Sequence, residues 1–380
     1  MASSTTNATP PAQTPSTTLN TNTGKGLLLK ADLIAQQYRT EVQLHSPQPQ
    51  SQNEIRKPKL VGILGTSSIP SMNYAEFTKR QCIELGFEFV LKKTGAALNS
   101  NGENGENGEG GNNGEGEGVE EAIIEANEDE SVDGIMVYYP IFGGRQDHYL
   151  QQIVSPLKDV EGLHSKFHYN LYHNIRFLDP KTLLSATTST TQNEITSKDN
   201  DTPPPGMVKS IIPCTPLAIV KCLEYVGVYN KILPYGDRAY GKTVTVINRS
   251  EVVGRPLAAL LANDGARVFS VDIDSTQEYT KRPQMTPEQK ARYHPRYVVH
   301  ASLLSVEACL AISDVVISAV PSAAYKVKTS WLKDGCICLN VAADKNFEAD
   351  VRDKASIYIP AVGKVTILML LRNLLRLREY

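Results

Sequence analysis

Several absences narrow the class of protein. No run of about 18 apolar residues occurs, so the sequence predicts no transmembrane helix. The first 25 residues have no apolar stretch and no arginine, which argues against a secretory signal and a mitochondrial transit peptide. The six cysteines form neither a CxxC pair nor a zinc spacing, and scattered thiols are typical of a reducing compartment. We therefore expect a cytoplasmic protein.

Neither sign of charge dominates the composition. The net charge is −2 over 380 residues, with 41% hydrophobic and 21% charged residues, which is typical of a globular protein. No large basic face for nucleic acid is indicated. Three histidines, His164, His168 and His173, lie close together in the sequence. Their spacing has no partnering cysteine, so we predict no metal site.

Stretches rich in Asn, Gly, Glu, Ser and Thr stand apart from the rest. Such sequence cannot bury enough apolar area to order itself. It predicts a disordered tail at 1–25 and low-complexity insertions at 97–118 and 185–206. Because long surface loops cost little closure entropy, the two insertions need not mark domain boundaries.

The remaining chain alternates between strand and helix patterns, which favours parallel βαβ units and an α/β fold with two domains. Helical periodicity is predicted over 27–44, 71–86, 119–127, 146–154, 215–228, 255–264 and 364–379. Strands are predicted over 59–65, 87–93, 133–140, 243–248, 266–274, 314–320, 335–342 and 355–360.

A possible dinucleotide-binding unit begins at strand 243–248. The strand leads into a turn that ends at Gly254, with Pro256 in the first turn of the next helix. Only one glycine of the usual three is present, so the turn alone is a weak signal. The next strand ends at Asp272, where an acidic side chain would bind the adenosine ribose hydroxyls. Asp274 is the competing candidate.

Cofactor choice follows from the same turn. A carboxylate at Asp272 repels a 2′-phosphate, and an apolar Ile273 is a poor phosphate partner, so the sequence predicts NAD rather than NADP. Arg249 leaves two alternatives open. Its guanidinium could bind a 2′-phosphate or contact the cofactor diphosphate.

Four long sequence segments indicate which substrate such a dehydrogenase would use. They are SPLKDVEGLH (155–164), IPCTPLAIV (212–220), INRSEVVGRPLAALLANDGA (247–266) and GKVTILMLLRN (363–373). Together they resemble the methylenetetrahydrofolate dehydrogenase family, and most of all its monofunctional, NAD-dependent fungal members. The resemblance implies oxidation of 5,10-methylenetetrahydrofolate by hydride transfer, in one-carbon metabolism that supplies purine synthesis. Homodimers are usual in this family.

The resemblance also implies an architecture. An N-terminal folate-binding α/β domain spans 26–214, and a Rossmann-like NAD-binding domain with a parallel sheet spans 215–362. The closing helix, 363–380, returns to the first domain. The active site is expected between the two domains.

Site residues follow by position in the family motifs. Tyr74 and Glu161 are expected over and beside the pterin, and Cys214 either takes part in the chemistry or only lines the pocket. Further expected substrate contacts are Tyr138, Pro140, Gly363 and Thr366. Expected cofactor contacts are Asn248, Arg249, Ser250, Gly254, Asp272, Ile273, Ala319, Val320 and Pro321.

The chain departs from the bifunctional dehydrogenase/cyclohydrolases of the family at two positions. Those enzymes carry a Ser-x-x-Tyr-x-x-x-Lys helix, in which Ser71 and Tyr74 match but the lysine position is Thr78. Their glutamine in the strand that enters the cleft is replaced by Tyr138. Both changes predict weak or absent cyclohydrolase activity. A bifunctional enzyme stays possible if Lys79 takes the missing place, and a non-catalytic folate or dinucleotide sensor is a further alternative.

The closing helix carries several cations. Lys364 could reach the substrate or be solvated. Arg372, Arg376 and Arg378 are expected on a solvated face, with binding of a polyglutamate tail as the weaker alternative.

Overall fold

The structure is a computed structural model. It describes residues 24–45, 56–99, 114–184, 202–282 and 296–380. Most of the predicted tail and most of both predicted insertions lie outside the described residues. The ends of the first insertion are ordered, because Gly116 N donates to Gly65 O at 2.8 Å. The bounds predicted for the two insertions, 97–118 and 185–206, stay predictions.

Nine helices occur in the described residues. They are α1 (Ala31–His45), α2 (Ile69–Glu84), α3 (Val119–Glu128), α4 (Arg145–Ile153), α5 (Ser165–Tyr172), α6 (Cys214–Tyr225), α7 (Gly254–Asn263), α8 (Val306–Ile312) and α9 (Gly363–Leu377). Apolar residues at helical spacing form their inner faces. In α1, for example, Ile34, Tyr38 and Val42 lie four residues apart and all are buried.

The first sheet has three parallel strands. β2 (Lys59–Leu64) lies between β3 (Glu88–Lys93) and β4 (Gly134–Val137). β2 and β4 read as continuous apolar runs because helices cover a parallel sheet on both faces. A separate hairpin joins β5 (Phe177–Leu178) to β6 (Val208–Lys209).

The second sheet has eight strands in the order β1-β13-β12-β11-β7-β8-β9-β10. Its strands are β1 (Leu27–Leu28), β7 (Thr243–Ile247), β8 (Arg267–Val271), β9 (Thr276–Lys281), β10 (Tyr297–Ser302), β11 (Val315–Ser318), β12 (Ile337–Asn340) and β13 (Ile357–Ile359). In the order across the sheet, the first six strands (β1, β13, β12, β11, β7 and β8) run parallel to one another. The predicted two-unit α/β fold with a largely parallel sheet is confirmed.

Three parts of the secondary-structure prediction were wrong or incomplete. Leu27 and Leu28 are not helical but pair in parallel with β13, so the start of the chain joins the second sheet. The prediction also missed β9 and β10, which extend that sheet as an antiparallel pair. Helices α5 and α8 were missed as well. These elements are short or polar, and their formation depends on neighbours that are distant in sequence.

The closing helix α9 joins the two parts of the molecule. It packs mainly against α1 and α6, and its residues from Val365 to Leu371 are all buried. Asn373 is also fully buried and donates through Nδ2 to Val160 O at 3.0 Å and to Ile212 O at 2.9 Å. The predicted limits of the two domains stay predictions.

Candidate active site

The predicted cofactor residues meet where the second sheet reverses its strand order. The chain leaves β7 for β8 on one side, while β11 lies on the other side of β7. Asn248 directly follows β7 and Ala319 directly follows β11. Ala319 N donates to Ile247 O at 3.1 Å. A crevice outside the carboxyl ends of parallel strands at such a switch point is the usual ligand site of open α/β sheets.

Backbone shape defines the turn from Asn248 to Gly254, called here the dinucleotide turn. Asn248 adopts a φ of 93°, and its Oδ1 accepts from Ser250 N at 2.7 Å. A Cβ at Gly254 would lie 1.7 Å from the Asn248 carbonyl oxygen, so only glycine allows the chain to fold back this closely. One glycine suffices because an asparagine tolerates the positive φ elsewhere in the turn.

Arg249 is held by the protein itself. Its guanidinium donates to the Oγ atoms of Ser270 and Ser275 at 3.1 and 3.0 Å, and to their carbonyl oxygens at 2.6 and 2.9 Å. These four bonds tie the dinucleotide turn to the end of β8 and occupy most of the donors of the side chain. The arrangement favours neither of the two alternatives, a 2′-phosphate or a diphosphate contact.

The acidic residue after β8 lies beside the dinucleotide turn. Asn248 N donates to Val271 O at 2.9 Å, which places Asp272 next to Asn248 at the edge of the sheet. Asp272 is exposed, and its Oδ1 accepts from Ile273 N at 2.9 Å. Ile273 is 95% exposed and can contact a ligand there. Asp274 lies two residues farther into the turn, so position favours Asp272.

The segment Ala319–Pro321 is braced by a residue that the sequence prediction missed. The fully buried Asn346 accepts through Oδ1 from Val320 N and Ser318 Oγ, each at 3.0 Å, and donates through Nδ2 to Val320 O at 3.0 Å. Asn346 lies in a loop after β12 with no motif around it, so no local sequence signal marked it.

The predicted substrate residues meet in a second group, the Tyr74 cluster, formed by Tyr74, Glu161, Cys214 and Gly363. Cys214 N donates to Glu161 O at 3.0 Å. Burial raises the pKa of the Tyr74 phenol, and the nearby Cys214 and Glu161 side chains raise it further. A Cβ at Gly363 would lie 3.9 Å from Tyr74 Cε2. Four segments that are distant in sequence therefore converge on one tyrosine.

Glu161 is the most perturbed acid of the cluster. Burial raises its pKa to about 8, and the nearby Asp159 adds to this effect, whereas a hydrogen bond from Val137 N at 3.0 Å opposes it. Burial likewise raises the pKa of Asp159 to about 6. Asp159 accepts from Gly162 N and His164 N at 2.9 and 2.7 Å and so shapes the loop. At neutral pH Glu161 is largely protonated and can donate a hydrogen bond.

Cys214 begins helix α6 and is only 7% exposed. Burial raises the pKa of its thiol well above the ordinary value, and the charge of Glu161 acts in the same direction. A nucleophilic cysteine needs the opposite shift. Of the two alternatives for Cys214, the structure favours pocket lining.

Tyr138 is buried against the ring of Tyr74 and does not lie on an open surface. It is 2% exposed, and the two rings meet edge to face with centroids 6.2 Å apart. Burial raises the pKa of the Tyr138 phenol, while the Thr78 hydroxyl acts in the opposite direction. Little of Tyr138 is left for direct substrate contact, which favours a supporting role, whereas Pro140 is exposed.

The helix position predicted to decide cyclohydrolysis has a clear geometry. Thr78 is fully buried, and its hydroxyl donates to Tyr74 O at 2.8 Å. The adjacent Lys79 is exposed, as expected for a rotation of about 100° per residue along a helix. Lys79 therefore does not occupy the place of Thr78.

The start of α9 completes the cluster. Thr366 is buried and donates through its hydroxyl to Val362 O at 3.3 Å. Lys364 forms an ion pair with Asp32 of α1, which favours a structural role over substrate contact. Asn373, three turns later, holds the backbone next to Glu161 and that of Ile212 together. Its motif was recognised in the sequence, but this role was not.

Among the described residues, no three potential metal ligands lie together as a group. No helix in this part of the chain combines the length and the apolar composition of a membrane span.

Comparisons with known proteins agree with this geometry. Residues 29–161 match the family model for the catalytic domain of tetrahydrofolate dehydrogenase/cyclohydrolase. Residues 213–286 match the model for the NAD(P)-binding domain of the same family. These two ranges contain the Tyr74 cluster residues Tyr74, Glu161 and Cys214, and the dinucleotide turn.

Individual relatives cover nearly the whole chain. A methylenetetrahydrofolate dehydrogenase (NAD+) of Schizosaccharomyces pombe is 45% identical over 324 residues, 85% of each chain. One of Saccharomyces cerevisiae is 42% identical over 352 residues, 93% of this chain and 96% of the relative. The solved structure of the NAD-dependent 5,10-methylenetetrahydrofolate dehydrogenase from S. cerevisiae is 41% identical, with a TM-score of 0.77 over 93% of this chain and 98% of that one. The resemblance predicted from sequence is confirmed: the chain belongs to the tetrahydrofolate dehydrogenase/cyclohydrolase family.

Proposed function

We propose that the chain catalyses the NAD-dependent oxidation of 5,10-methylenetetrahydrofolate to 5,10-methenyltetrahydrofolate. The observation that carries this proposal is the convergence of Tyr74, Glu161, Cys214 and Gly363 in one cluster, in a molecule whose second sheet carries a dinucleotide turn at its switch point. The names of the similar proteins support the same reaction.

In this proposal the protein binds and orients the folate. Tyr74 offers its ring to the pterin, and the neutral Glu161 carboxyl donates a hydrogen bond to a pterin acceptor. Cys214, Gly363 and Thr366 line the pocket, with Pro140 at its rim and Tyr138 supporting Tyr74 from below. The hydride leaves the carbon between two folate nitrogens, whose lone pairs stabilise the cation that forms. The protein therefore supplies orientation and a suitable field rather than a nucleophile.

The dinucleotide turn fits an NAD cofactor. The N-cap residue of α7, Val253, makes no side-chain capping hydrogen bond, so the backbone N–H groups at the start of α7 would bind a diphosphate. Asp272 would bind the adenosine ribose and repel a 2′-phosphate. When bound, NAD supplies the hydride acceptor. The residues proposed to hold it are Asn248, Ser250, Gly254, Asp272, Ile273, Ala319, Val320 and Pro321, with Arg249 fixing the turn.

Cyclohydrolase activity is proposed to be absent. The buried Thr78 cannot replace a lysine amine in moving protons, and the exposed Lys79 lies on another face of α2. Tyr138 is packed between α2 and the sheet, where its ring lies 3.1 Å from a Cβ position at Gly62. The bifunctional alternative therefore loses its main support.

The cellular setting and the oligomeric state are proposed from the family resemblance and from the exposed edge of the second sheet. We propose a cytoplasmic homodimer that acts in one-carbon metabolism for purine synthesis and accepts polyglutamylated folate. Strand β10 ends the second sheet, and Val299 and Leu303 near it are 43% and 104% exposed, which suits pairing with a second copy. Light scattering of the purified chain tests the dimer.

One assay separates the candidate functions. Methylenetetrahydrofolate is supplied with NAD or with NADP, and the absorbances of the reduced cofactor and of methenyl-folate are followed together. We expect faster turnover with NAD and a methenyl signal that decays only at its spontaneous rate. Faster turnover with NADP would refute the cofactor assignment, and accelerated methenyl decay would restore the bifunctional alternative. Absence of turnover with both cofactors would leave a binding sensor.

A further inference from the structure

A cavity of about 250 Å³ lies apart from the proposed active site. It is enclosed by the ends of α5 and α7, the later turns of α6 and α9, and the loop between α6 and β7. None of the residues of the Tyr74 cluster or of the dinucleotide turn lines it. The proposed reaction therefore does not explain this cavity.

Cations outnumber acids in its lining. The acids are Glu224 and Asp264, and the cations are Lys209, Lys221, Arg176, Arg238, Arg372 and Arg376. Lys221 pairs with Glu224 at 2.7 Å, Arg176 with Asp264 at 3.7 Å, and Arg372 with Glu41 outside the cavity at 3.0 Å. Within the described part of the chain, Arg238 and Arg376 have no carboxylate within ion-pair distance.

Arg238 is the first of these two guanidinium groups. Its Nε is buried and has no hydrogen-bond partner among the described residues. Its Cζ lies 5.2 Å from the centroid of the Tyr235 ring, and the Cζ of Arg176 lies 3.9 Å from the same centroid. One aromatic ring thus orients two cations at the cavity, and no described residue accepts a hydrogen bond from Arg238 Nε.

Arg376 is the second. Its one hydrogen bond within the described residues is a long one, from an Nη atom to Ser210 O at 3.4 Å. Burial and the neighbouring Arg372 both lower the pKa of Arg376. This environment contradicts the solvated face predicted for Arg376 from the sequence. Arg376 is half-buried, and a cation that is partly withdrawn from water without an anion partner is costly, so a bound oxyanion would offset that cost.

Apolar side chains form the remaining wall. Leu217 and Val220 of α6 and Leu260 of α7 line the cavity together with polar groups such as Ser210 and Asn263. A planar guanidinium fork binds phosphate and carboxylate oxygens in pairs, which makes an anionic head group the chemical match for Arg238 and Arg376. The apolar wall matches a small hydrocarbon body.

We propose that this cavity, which Arg238 and Arg376 line together with Leu217, Val220 and Leu260, binds a small organic oxyanion. The phosphate or carboxylate head lies on the two guanidinium groups, and the apolar body lies on the leucine and valine side chains. The ligand connects α6, α7 and α9, whose first residues are Cys214, Gly254 and Gly363. Binding therefore stiffens the three helices that begin at the proposed active site.

Calorimetric titration of the full chain tests the site with three probes: orthophosphate, phenyl phosphate and benzoate. Phenyl phosphate is expected to bind more tightly than orthophosphate, because only the former uses the apolar wall. The relative affinity of benzoate then tells whether the head group is phosphate or carboxylate. Arg238→Gln and Arg376→Gln are each expected to weaken binding at least about tenfold, the loss of one charge-assisted contact.

Two matched controls locate the bound anion. Arg378→Gln removes the same charge two residues farther on, directly after the end of α9. Arg378 pairs with Asp133 at 3.7 Å outside the cavity, so binding should be unchanged. Arg249→Gln alters the dinucleotide turn and should also leave binding unchanged. Loss of binding in Arg249→Gln would place the anion at the cofactor site and overturn the proposal.

The remaining outcomes are also decisive. Unchanged affinity in both cavity variants overturns the proposal, as does the absence of binding for all three probes at roughly millimolar concentration. Circular dichroism checks that the variants are folded, and Arg376→Lys, which keeps the charge, should retain part of the affinity. If Arg376→Gln does not fold, the partly exposed Arg238 carries the test. The measurement needs no turnover, so it is independent of the proposed reaction.

Discussion

The Tyr74 cluster and the dinucleotide turn are built in opposite ways. The cluster consists of side chains whose chemistry is set by burial, and the pKa values of Tyr74, Glu161 and Cys214 are all raised. The turn depends on backbone geometry, with Gly254 against Asn248, and on the exposed Asp272 beside it. The Tyr74 cluster therefore depends on the packing of distant segments, whereas the shape of the dinucleotide turn is set within one short stretch of chain.

The largest effect is expected where backbone geometry permits no substitute. Gly254→Ala would place a Cβ 1.7 Å from the Asn248 carbonyl oxygen, so the turn must open. We expect kcat/KM to fall by about 100-fold or more, as for an angstrom-scale misplacement of a bound group. Gly114→Ala, where a Cβ has nothing within 4 Å, is the control. Near-normal NAD turnover in Gly254→Ala would show that the turn does not position the cofactor.

The next largest effect is expected in the Tyr74 cluster, at Glu161. Glu161→Ala removes the carboxyl that would bond to the pterin, and we expect a loss of about 10- to 100-fold in kcat/KM for the folate, the worth of a strong hydrogen bond. Glu161→Gln, which like the neutral carboxyl both donates and accepts, should lose less. Steady-state kinetics at several folate concentrations measure it. Equal loss for folate and NAD would point to general disruption of the fold instead.

Replacing Glu161 by glutamine also has a pH signature. The folded pKa of Glu161, about 8, lies above its ordinary value of 4.5, so the folded state holds a proton that the unfolded state releases. Its contribution to stability is therefore greatest at acid pH and is lost as pH rises toward 8. Thermal melts between pH 6 and 8 should show a falling melting temperature in the parent chain and a flatter profile in Glu161→Gln. Equal slopes would contradict the shifted pKa.

A smaller effect is expected at the exposed acid of the cofactor edge. Asp272→Ser removes the charge that repels a 2′-phosphate, so the preference for NAD over NADP should fall by roughly tenfold, or about 1.4 kcal/mol. The ratio of kcat/KM for the two cofactors measures it. Asp274→Ser is the matched control, and a larger shift in that variant would move the ribose contact to Asp274.

The smallest effect is expected at Cys214. A buried, protonated thiol offers no nucleophile, so Cys214→Ala should lower kcat by less than about fivefold. A group that takes part directly in the chemistry would cost on the order of 100-fold or more. Single-turnover rates separate these cases, and the larger loss would assign Cys214 to the chemistry.

Prediction from sequence succeeded where the signal was local. Apolar runs predicted the central strands β2, β4, β7 and β11, and the family motifs predicted residues that meet in the structure. It failed at Leu27 and Leu28, which read as the start of a helix but pair with β13, more than 300 residues away. It also missed Asn346, because a lone asparagine in a loop carries no periodicity.

Arg249 and Arg376 show most clearly what could not be predicted from the sequence. By itself the sequence determined the α/β class, the family, the position of the dinucleotide turn and the identity of the Tyr74 cluster, because periodicity and motif order are properties of the chain. Only the tertiary structure decided that Arg249 binds its own protein through Ser270 and Ser275, and that Arg376 lies at a cavity and not on a solvated face. The pKa of Glu161 was decided in the same way. Charge environment and burial depend on which distant segments pack together, and no local pattern encodes that.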